Sequence, residues 1–505
     1  MSALANRLGK HVRFVNNNNK TFVGLRSIST TVATKYAEIK TDPPFNKVMA
    51  ANRGEIAVRI MRAGNELGST TVGIYSFEDR QTAHRYKADE SYMVGTGLSP
   101  VAAYLGVDEI VKLAKESGVE AIHPGYGFLS ERTDFAAACE KNGIKFIGPT
   151  VQNLREFGDK TSARQLAIAS KVPVVPGTDN AVSTVDEALK FLEEYGCPII
   201  IKAAMGGGGK GMRVVLTEAE LEENFNLAQS EALAAFGDGT VFLERYVIDP
   251  RHIEVQIIGD GQGNVVHLYD RDCSLQRRHQ KVLETAPAMG LDPKVRQAML
   301  DDAVRLTANA KYRNAGTVEF LVDKEGRHYF IEVNPRIQVE HTVTEEVTGI
   351  DLVQTQMKIA SGKTFEELGL KQENIAATGV AMQCRVTTED PSRDFTPDSG
   401  YVSVFRQPTG MGIRLDDGPG FVGANITPFY DSLLVKLTGR ASTREACAAK
   451  LRRALTEFRI RGVTTNIYYL RNVLSNSEFV NGNISHFFEV KNTGTGLSPN
   501  SWRLD

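Results

Sequence analysis

Short apolar runs alternate with amphipathic stretches through the first third of the chain. Residues 47–51 form an apolar strand, Asn52-Arg53-Gly54-Glu55 a tight loop, and 56–67 carries apolar positions at helical spacing. A second strand is predicted over 70–75, a helix over 107–117, a strand over 121–123, a helix over 135–142 and a strand over 145–147. Strands alternating with helices predict a parallel sheet covered on both faces. This first domain ends near Gly158-Asp159-Lys160, and a helix over 161–170 leads to a smaller unit. There, an apolar strand over 198–203, a glycine-rich loop and a strand over 212–216 predict a hairpin. Strands dominate from 240 to 334, interrupted by one long helix over 293–311. Strands over 379–385 and 432–437 and a helix over 443–453 follow, and the ordered pattern fades after about 489.

The 505 residues exceed what one core organises, so about three subdomains are expected. With 42% apolar and 24% charged residues the composition is that of a soluble globular protein. No apolar run approaches the roughly 18 residues that span a bilayer. A formal charge of −2 gives no reason to expect nucleic acid or a membrane surface as partner. The charge is unevenly placed. Residues 1–37 hold Arg7, Lys10, Arg13, Lys20, Arg26 and Lys35 and no acid, which leaves 53 basic against 61 acidic residues in the remainder. This basic, hydroxyl-rich leader lacks the apolar core of a secretory signal and reads as a transit peptide. Leu25-Arg26-Ser27-Ile28-Ser29-Thr30 is similar to a mitochondrial processing site, which places the protein in the mitochondrial matrix. Five widely spaced cysteines without a CxxC pair predict neither a zinc site nor a disulfide framework.

Four segments carry candidate chemistry. The first is Lys202-Ala203-Ala204-Met205-Gly206-Gly207-Gly208-Gly209-Lys210-Gly211. Glycines let backbone N–H groups approach phosphate oxygens, and the lysines add positive charge. A dinucleotide fold needs a helix after such a loop, but Val214 and Val215 favour a strand. The P-loop spacing also fails, at Ala204 and Gly211. A phosphate-closing hairpin remains.

The second segment pairs Glu319, in an apolar strand, with Glu332 in another, separated by the turn Asp323-Lys324-Glu325-Gly326. If those four residues make the loop, Glu319 faces Phe330 and Glu332 lies one diagonal step away on the same face, with Asn334 beyond it. Two carboxylates and an amide suit a hard divalent cation. In the third segment, Asn334-Pro335-Arg336-Ile337-Gln338-Val339-Glu340-His341, Arg336 has the fork for a small planar anion, and Glu340 is placed to act as a base on it. The fourth, from Arg271 to Lys281, packs five cations into eleven residues without an aromatic, and an anion or nucleotide pocket is expected.

In this order, these segments resemble the biotin carboxylases. Further matching runs are Ala51-Asn52-Arg53-Gly54-Glu55-Ile56-Ala57, His123-Pro124-Gly125-Tyr126-Gly127-Phe128-Leu129-Ser130-Glu131 and Phe429-Tyr430-Asp431-Ser432. The resemblance implies an α/β and α+β multidomain fold. A Rossmann-like N-terminal domain is expected over 45–158, an ATP-grasp domain over 159–369 with a hinged lid over about 175–245, a C-terminal domain over 370–489 and a tail over 490–505. Within that family the runs His84–Glu90, Arg385–Pro391 and Phe458–Gly462 look most like the biotin carboxylase domain of mitochondrial pyruvate carboxylases.

The resemblance also implies roles. Lys160, Lys202 and the glycines Gly207, Gly208 and Gly209 look like contacts to ATP phosphates, Glu244 like the adenine-side acid, and His252, Gln276 and His279 like further nucleotide-side residues. Glu319 and Glu332, with Asn334 beside them, resemble ligands of Mg²⁺ or Mn²⁺. Lys281, Arg336, Gln338 and Val339 match a bicarbonate pocket, Glu340 the general base, and Arg414 the residue that stabilises deprotonated biotin. Arg132, where the family commonly has Asn, and Met205, at a usually smaller position, depart from the pattern. No Ala-Met-Lys-Met attachment motif occurs, so biotin is expected on a carrier outside this chain. The implied partners are biotin carboxyl carrier and carboxyltransferase domains or subunits, and a second copy in a homo-oligomer. The carboxylase subunit of a mitochondrial acyl-CoA carboxylase, a carbamoyl-phosphate-type ligase and a catalytically idle assembly subunit stand as alternatives.

Overall fold

The computed structural model describes residues 42–178, 180–203, 212–277 and 280–482. Five strands open the fold: β1 (Lys47–Ala50), β2 (Thr70–Tyr75), β3 (Glu90–Met93), β4 (Ala121–His123) and β5 (Lys145–Phe146). They form one sheet in the order β3-β2-β1-β4-β5, parallel throughout. Side chains of β1 alternate between its faces. Val48 and Ala50 pack with Ile56, Ile60 and Met61 of the helix Gly54–Glu66. Met49 packs on the other face with Ile110 and Phe135, from the helices Val107–Glu116 and Thr133–Lys141. The parallel sheet covered on both faces agrees with the sequence pattern.

The predicted hairpin is present. β6 (Ile199–Ala203) pairs antiparallel with β7 (Met212–Val215) and with β8 (Val241–Arg245). Ile199 and Ile201 enter a small core with Phe191 of the helix Val185–Tyr195 and Phe225 of the helix Leu221–Phe236. Ile200 and Lys202, one residue out of phase, face a cleft instead.

Eight further strands make one antiparallel sheet: β9 (Arg251–Asp260), β10 (Val265–Arg277), β11 (Gln280–Ala286), β12 (Arg313–Val322), β13 (His328–Asn334), β14 (Val380–Thr387), β15 (Ile413–Asp417) and β16 (Leu433–Ala441). Their order is β13-β12-β9-β10-β11-β14-β16-β15, so the sheet continues through the boundary expected near residue 369. The helix Pro293–Asn309 packs Met299, Leu300 and Leu306 against Val255, Ile257 and Phe320. The helix Arg444–Glu457 packs Leu451 and Leu455 against Met382 and Leu437. Burying one such side chain stabilises the fold by roughly 1.5–3 kcal/mol.

The register of β12 and β13 corrects one expectation. Val322 pairs with His328, so the loop has one residue more than the four-residue turn, and a bulge follows between Phe320 and Glu319. Glu319 therefore lies directly opposite Glu332, and Phe330 pairs with Phe320 in the core. The bulge inserts Ile331 and lets consecutive side chains, Ile331 and Glu332, both reach the cleft.

All five cysteines are free and only Cys197 is exposed. No described helix is long and apolar enough to cross a membrane. The leader over 1–37, the loop glycines Gly207, Gly208 and Gly209, His279 and the tail over 490–505 lie outside the described residues.

Candidate active site

Three neighbouring strands put carboxylates in one row. Glu254 of β9 is the register partner of Glu319 on β12, which is the partner of Glu332 on β13. On the far side, Arg271 of β10 partners Glu254. Like charges directly opposite one another are destabilising unless counter-charges are supplied. Here they are. Arg271, fully buried, donates from Nε to Glu254 at 2.6 Å. Lys281 of β11 reaches Glu254 at 2.6 Å and Glu319 at 3.0 Å. His252 of β9 lies 2.7 Å from the other Glu319 oxygen.

The three acids are consequently unlike. Burial raises the pKa of Glu254, but Arg271 and Lys281 outweigh it and hold the group down to about 2. Burial likewise opposes ionisation of Glu319, and Lys281 and His252 again outweigh it. Glu332 at the end of the row has its pKa raised, by burial first and by Glu319 second, with Lys160 as the leading counter-charge. Asn334 donates to Glu319 Oε1 at 2.9 Å. A divalent cation taken up between Glu319 and Glu332 would relieve the repulsion that raises Glu332, so this donor set fits Mg²⁺ or Mn²⁺.

Beyond Asn334 the chain turns into the predicted anion segment. Arg336 donates to Gln338 Oε1 at 2.9 Å and to Asn334 Oδ1 at 3.0 Å, and its Nε bonds Glu131 from the N-terminal part of the chain. Glu340, with no solvent exposure, immediately precedes the helix His341–Thr348. Its Oε1 accepts from Lys281 at 2.7 Å and its Oε2 from Arg385 at 3.1 Å. Burial raises its pKa, but Lys281 is the strongest opposing influence, and the net direction is downward. The carboxylate is thus held as an ionised acceptor.

One cleft of about 1060 Å³ is bordered by Lys160, Lys202, Glu244, His252, Gln276, Lys281, Glu319, Glu332, Asn334, Arg336, Gln338 and Val339. Glu340 lies just beneath its wall, in contact with Lys281. Lys202 is ion-paired with Glu244, which also faces Arg164 at 3.7 Å. Gln276 donates to the Cys273 carbonyl at 3.0 Å. Arg414 is not among the bordering residues. It pairs with Glu345 at 2.7 Å and Asp416 at 2.8 Å, close to Glu55, which does border the cleft.

The basic run from Arg271 to Lys281 is not a single pocket wall. Arg271 is buried beneath the row of acids, and Arg277 stacks over Phe395 and faces Glu389. Sequence reasoning missed Glu254, Arg385 and Glu55. A signal for Glu254 was present, because His252, Glu254 and Gln256 alternate with Ile253, Val255 and Ile257. Arg385 and Glu55 lay inside runs used only for resemblance.

Three families together match most of the chain: "Biotin carboxylase, N-terminal domain" over residues 44–154, "Carbamoyl-phosphate synthase L chain, ATP binding domain" over 159–368 and "Biotin carboxylase C-terminal domain" over 383–489. Mitochondrial pyruvate carboxylase of Mus musculus is 57% identical over 467 residues, covering 92% of this chain and 40% of the mouse protein. Pyruvate carboxylase of Aspergillus terreus is 59% identical over 441 residues, covering 87% of this chain and 37% of that protein. The chain thus spans about two-fifths of the length of the curated relatives it matches. Among solved structures, the biotin carboxylase domain dimer of the Hydrogenobacter thermophilus 2-oxoglutarate carboxylase, in complex with MgADP, ADP and bicarbonate, is 44% identical. It superposes with a TM-score of 0.83, covering 88% of this chain and 96% of that one. Biotin carboxylase from Campylobacter jejuni is 41% identical with a TM-score of 0.84, covering 88% and 98%. With nearly the full length of those two folds shared at this identity, the chain belongs to the biotin carboxylase family.

Proposed function

We propose that this cleft carboxylates carrier-bound biotin with ATP and bicarbonate, as the first half-reaction of a pyruvate carboxylase. The observation that carries the reading is the convergence on Lys281. Its single ammonium touches Glu254, Glu319 and Glu340, joining the row of acids to the candidate base at the edge of one cleft. In this reading Lys160 and Lys202 bind ATP phosphates, and Lys202 exchanges Glu244 for them. Glu319 and Glu332, with Asn334 beside them, hold Mg²⁺ or Mn²⁺, which when bound neutralises charge on the phosphates. Arg336, Gln338 and Val339 receive bicarbonate, for which Arg336 must share its fork with Glu131 or release it.

Glu340 then takes the bicarbonate proton. The resulting nucleophile attacks the γ-phosphate, giving ADP and carboxyphosphate. Carboxyphosphate breaks down to CO₂ and phosphate. The phosphate removes the biotin N1′ proton, and CO₂ is captured while Arg414 stabilises the enolate. Serving biotin requires Arg414 to turn part of its fork away from Glu345 and Asp416. Closure of the β6–β7 hairpin over the cleft protects the labile intermediate from water. The carrier and carboxyltransferase partners are assigned from the larger pyruvate carboxylases the chain resembles, and self-association from the dimeric relative. The acid-free leader and the mitochondrial relatives support a place in the mitochondrial matrix.

The test is ATP hydrolysis measured with and without bicarbonate and free biotin. Bicarbonate-dependent hydrolysis stimulated by biotin is expected. Glu340→Gln should lower it by about 100-fold or more while nucleotide binding persists. Hydrolysis indifferent to bicarbonate overturns the reading, and full activity of Glu340→Gln rejects the base.

A further inference from the structure

The turn that carries Gln338, Val339 and Glu340 along the cleft is held from inside the protein by two side chains to which no role has been assigned, His341 and Lys436. We propose that both are positioning residues for the anion pocket. They draw back the carbonyls of Gln338 and Val339, and so turn the backbone amides of Val339 and Glu340 toward bicarbonate. The inference rests on the reading of Arg336, Gln338 and Val339 as the bicarbonate pocket.

The backbone N–H of His341 donates to the Gln338 carbonyl at 3.3 Å, which closes the turn. Glu340, its third residue, has φ −85° and ψ 10°, the values of a type I turn. The same carbonyl meets His341 Nδ1 at 2.8 Å. A carbonyl can only accept, so Nδ1 carries a proton and donates it. The other ring nitrogen has no hydrogen-bond partner among the described residues and faces Glu345 at 3.8 Å. The next carbonyl, that of Val339, accepts from Lys436 Nζ at 3.2 Å. Lys436 is itself fixed by Glu55, 2.9 Å away. Neither His341 nor Lys436 has any solvent exposure, whereas Gln338 and Val339 border the cleft. Both tethers therefore pull from the protein side of the turn.

In a planar trans peptide the C=O and N–H point in opposite directions, and the peptides of this turn are trans. Tying a carbonyl inward thus fixes the next N–H outward. Within the described residues, neither the Val339 nor the Glu340 amide has a hydrogen-bond partner. Two adjacent free N–H groups make a small concavity for an anion, next to the guanidinium of Arg336. Arg336 has to share or release Glu131 when the anion enters, but the amides are aimed beforehand and need not move. Such contacts are made to bicarbonate before and during proton transfer alike, so they act on its binding rather than on the chemical step. One tether comes from the helix that follows Glu340 and the other from β16 of the C-terminal segment.

The experiment uses the full chain as wild type, His341→Leu, His341→Asn, Glu55→Gln, and Glu55→Gln combined with Lys436→Met, with thermal unfolding recorded for each. Bicarbonate-dependent ATP cleavage is resolved into kcat, KM for bicarbonate and KM for ATP. For His341→Leu we expect KM for bicarbonate to rise about tenfold, the worth of one hydrogen bond, with kcat and KM for ATP within about threefold of wild type. His341→Asn keeps a donor near the Nδ1 position and should bring KM for bicarbonate back to within about threefold. Lys436→Met in the Glu55→Gln background, where no carboxylate is stranded, should raise KM for bicarbonate about tenfold over Glu55→Gln alone. A KM for bicarbonate within about twofold of its parent in either His341→Leu or the double variant overturns the proposal for that residue. Equal rises in KM for bicarbonate and for ATP, the mark of a general structural role, overturn it outright. So does equal loss in His341→Leu and His341→Asn. If His341→Leu does not fold, the Lys436 comparison decides by the same split. Wild-type protein without bicarbonate-dependent cleavage overturns the functional reading itself, a result distinct from any of these.

Discussion

His123 ends β4, where the chain enters the loop that carries Tyr126 to the cleft. Its Nδ1 accepts from the Gly125 backbone N–H at 3.0 Å, which leaves Nε2 to donate to Gln356 Oε1 at 3.1 Å. Both contacts need the neutral ring. Burial, the largest influence, pushes its pKa down from 6.5 to about 4. A histidine that stays neutral when folded but protonates when unfolded contributes full stability above about pH 6.5 and loses it as the pH falls toward 4. At about 1.4 kcal/mol per unit, His123 should account for about 2 kcal/mol of lost stability between pH ~7 and ~5. Urea unfolding of wild type and His123→Asn at both pH values checks this. Identical pH slopes for the two proteins sink the assignment. The residue types of the candidate site were legible in the sequence because Glu340 and Arg336 stand in one short polar run. His123 was visible only as part of a matching motif, since its ring is buried by distant segments of the chain, Gln356 among them at more than 200 positions away.

At the scale of the element, sequence pattern found the strands of Glu319 and Glu332 but not their register. A four-residue turn counted back along two regular strands places Phe330 opposite Glu319. The longer loop and the bulge shift the pairing, and neither leaves a periodic signal, because period-two alternation assumes that no residue is inserted. The consequence is chemical. Two carboxylates one diagonal step apart repel weakly, whereas these two are direct partners beside a third, Glu254. Glu332→Gln should therefore stabilise the metal-free protein by about 0.5–1 kcal/mol, the scale of a like-charge cross-strand pair. It should also weaken Mn²⁺-dependent nucleotide binding, and Glu319→Gln with Glu332→Gln should abolish the metal dependence. Unfolding midpoints in EDTA, with nucleotide titrations with and without Mn²⁺, report the two effects. A Glu332→Gln protein that is less stable in EDTA and binds nucleotide with unchanged metal dependence would count against the cation site.

At the scale of the whole molecule, the alternating strands and helices announced the N-terminal sheet, but nothing local announced how the three matched segments join. Beside the continuous eight-stranded sheet and a shared apolar core, buried charge links them. Lys436 of β16 is fully buried, and its ammonium lies 2.9 Å from Glu55 in the first turn of the helix Gly54–Glu66 and 3.2 Å from the carbonyl of Val339. One side chain from the C-terminal segment thus touches the N-terminal segment and the ATP-binding segment beside the cleft. Nothing in the sequence of the strand itself points to these contacts, because Glu55 lies hundreds of residues away. Removing one member of a buried ion pair strands the other, at a cost of about 3–5 kcal/mol. Lys436→Met should therefore destabilise the protein by about that amount near pH 8. The pKa of Glu55 is already raised, burial being the main cause and Lys436 the leading opposing influence. Without Lys436 it rises further, and a carboxyl with a raised folded-state pKa favours folding at low pH and loses that benefit as pH climbs. The penalty of Lys436→Met should shrink as pH is lowered from about 8 to about 5, and adding Glu55→Gln should remove most of it at both. Urea unfolding of the two single variants, the double variant and wild type gives the coupling directly. Additive effects, or a penalty that grows on acidification, would show that this ammonium does not hold the segments together through Glu55.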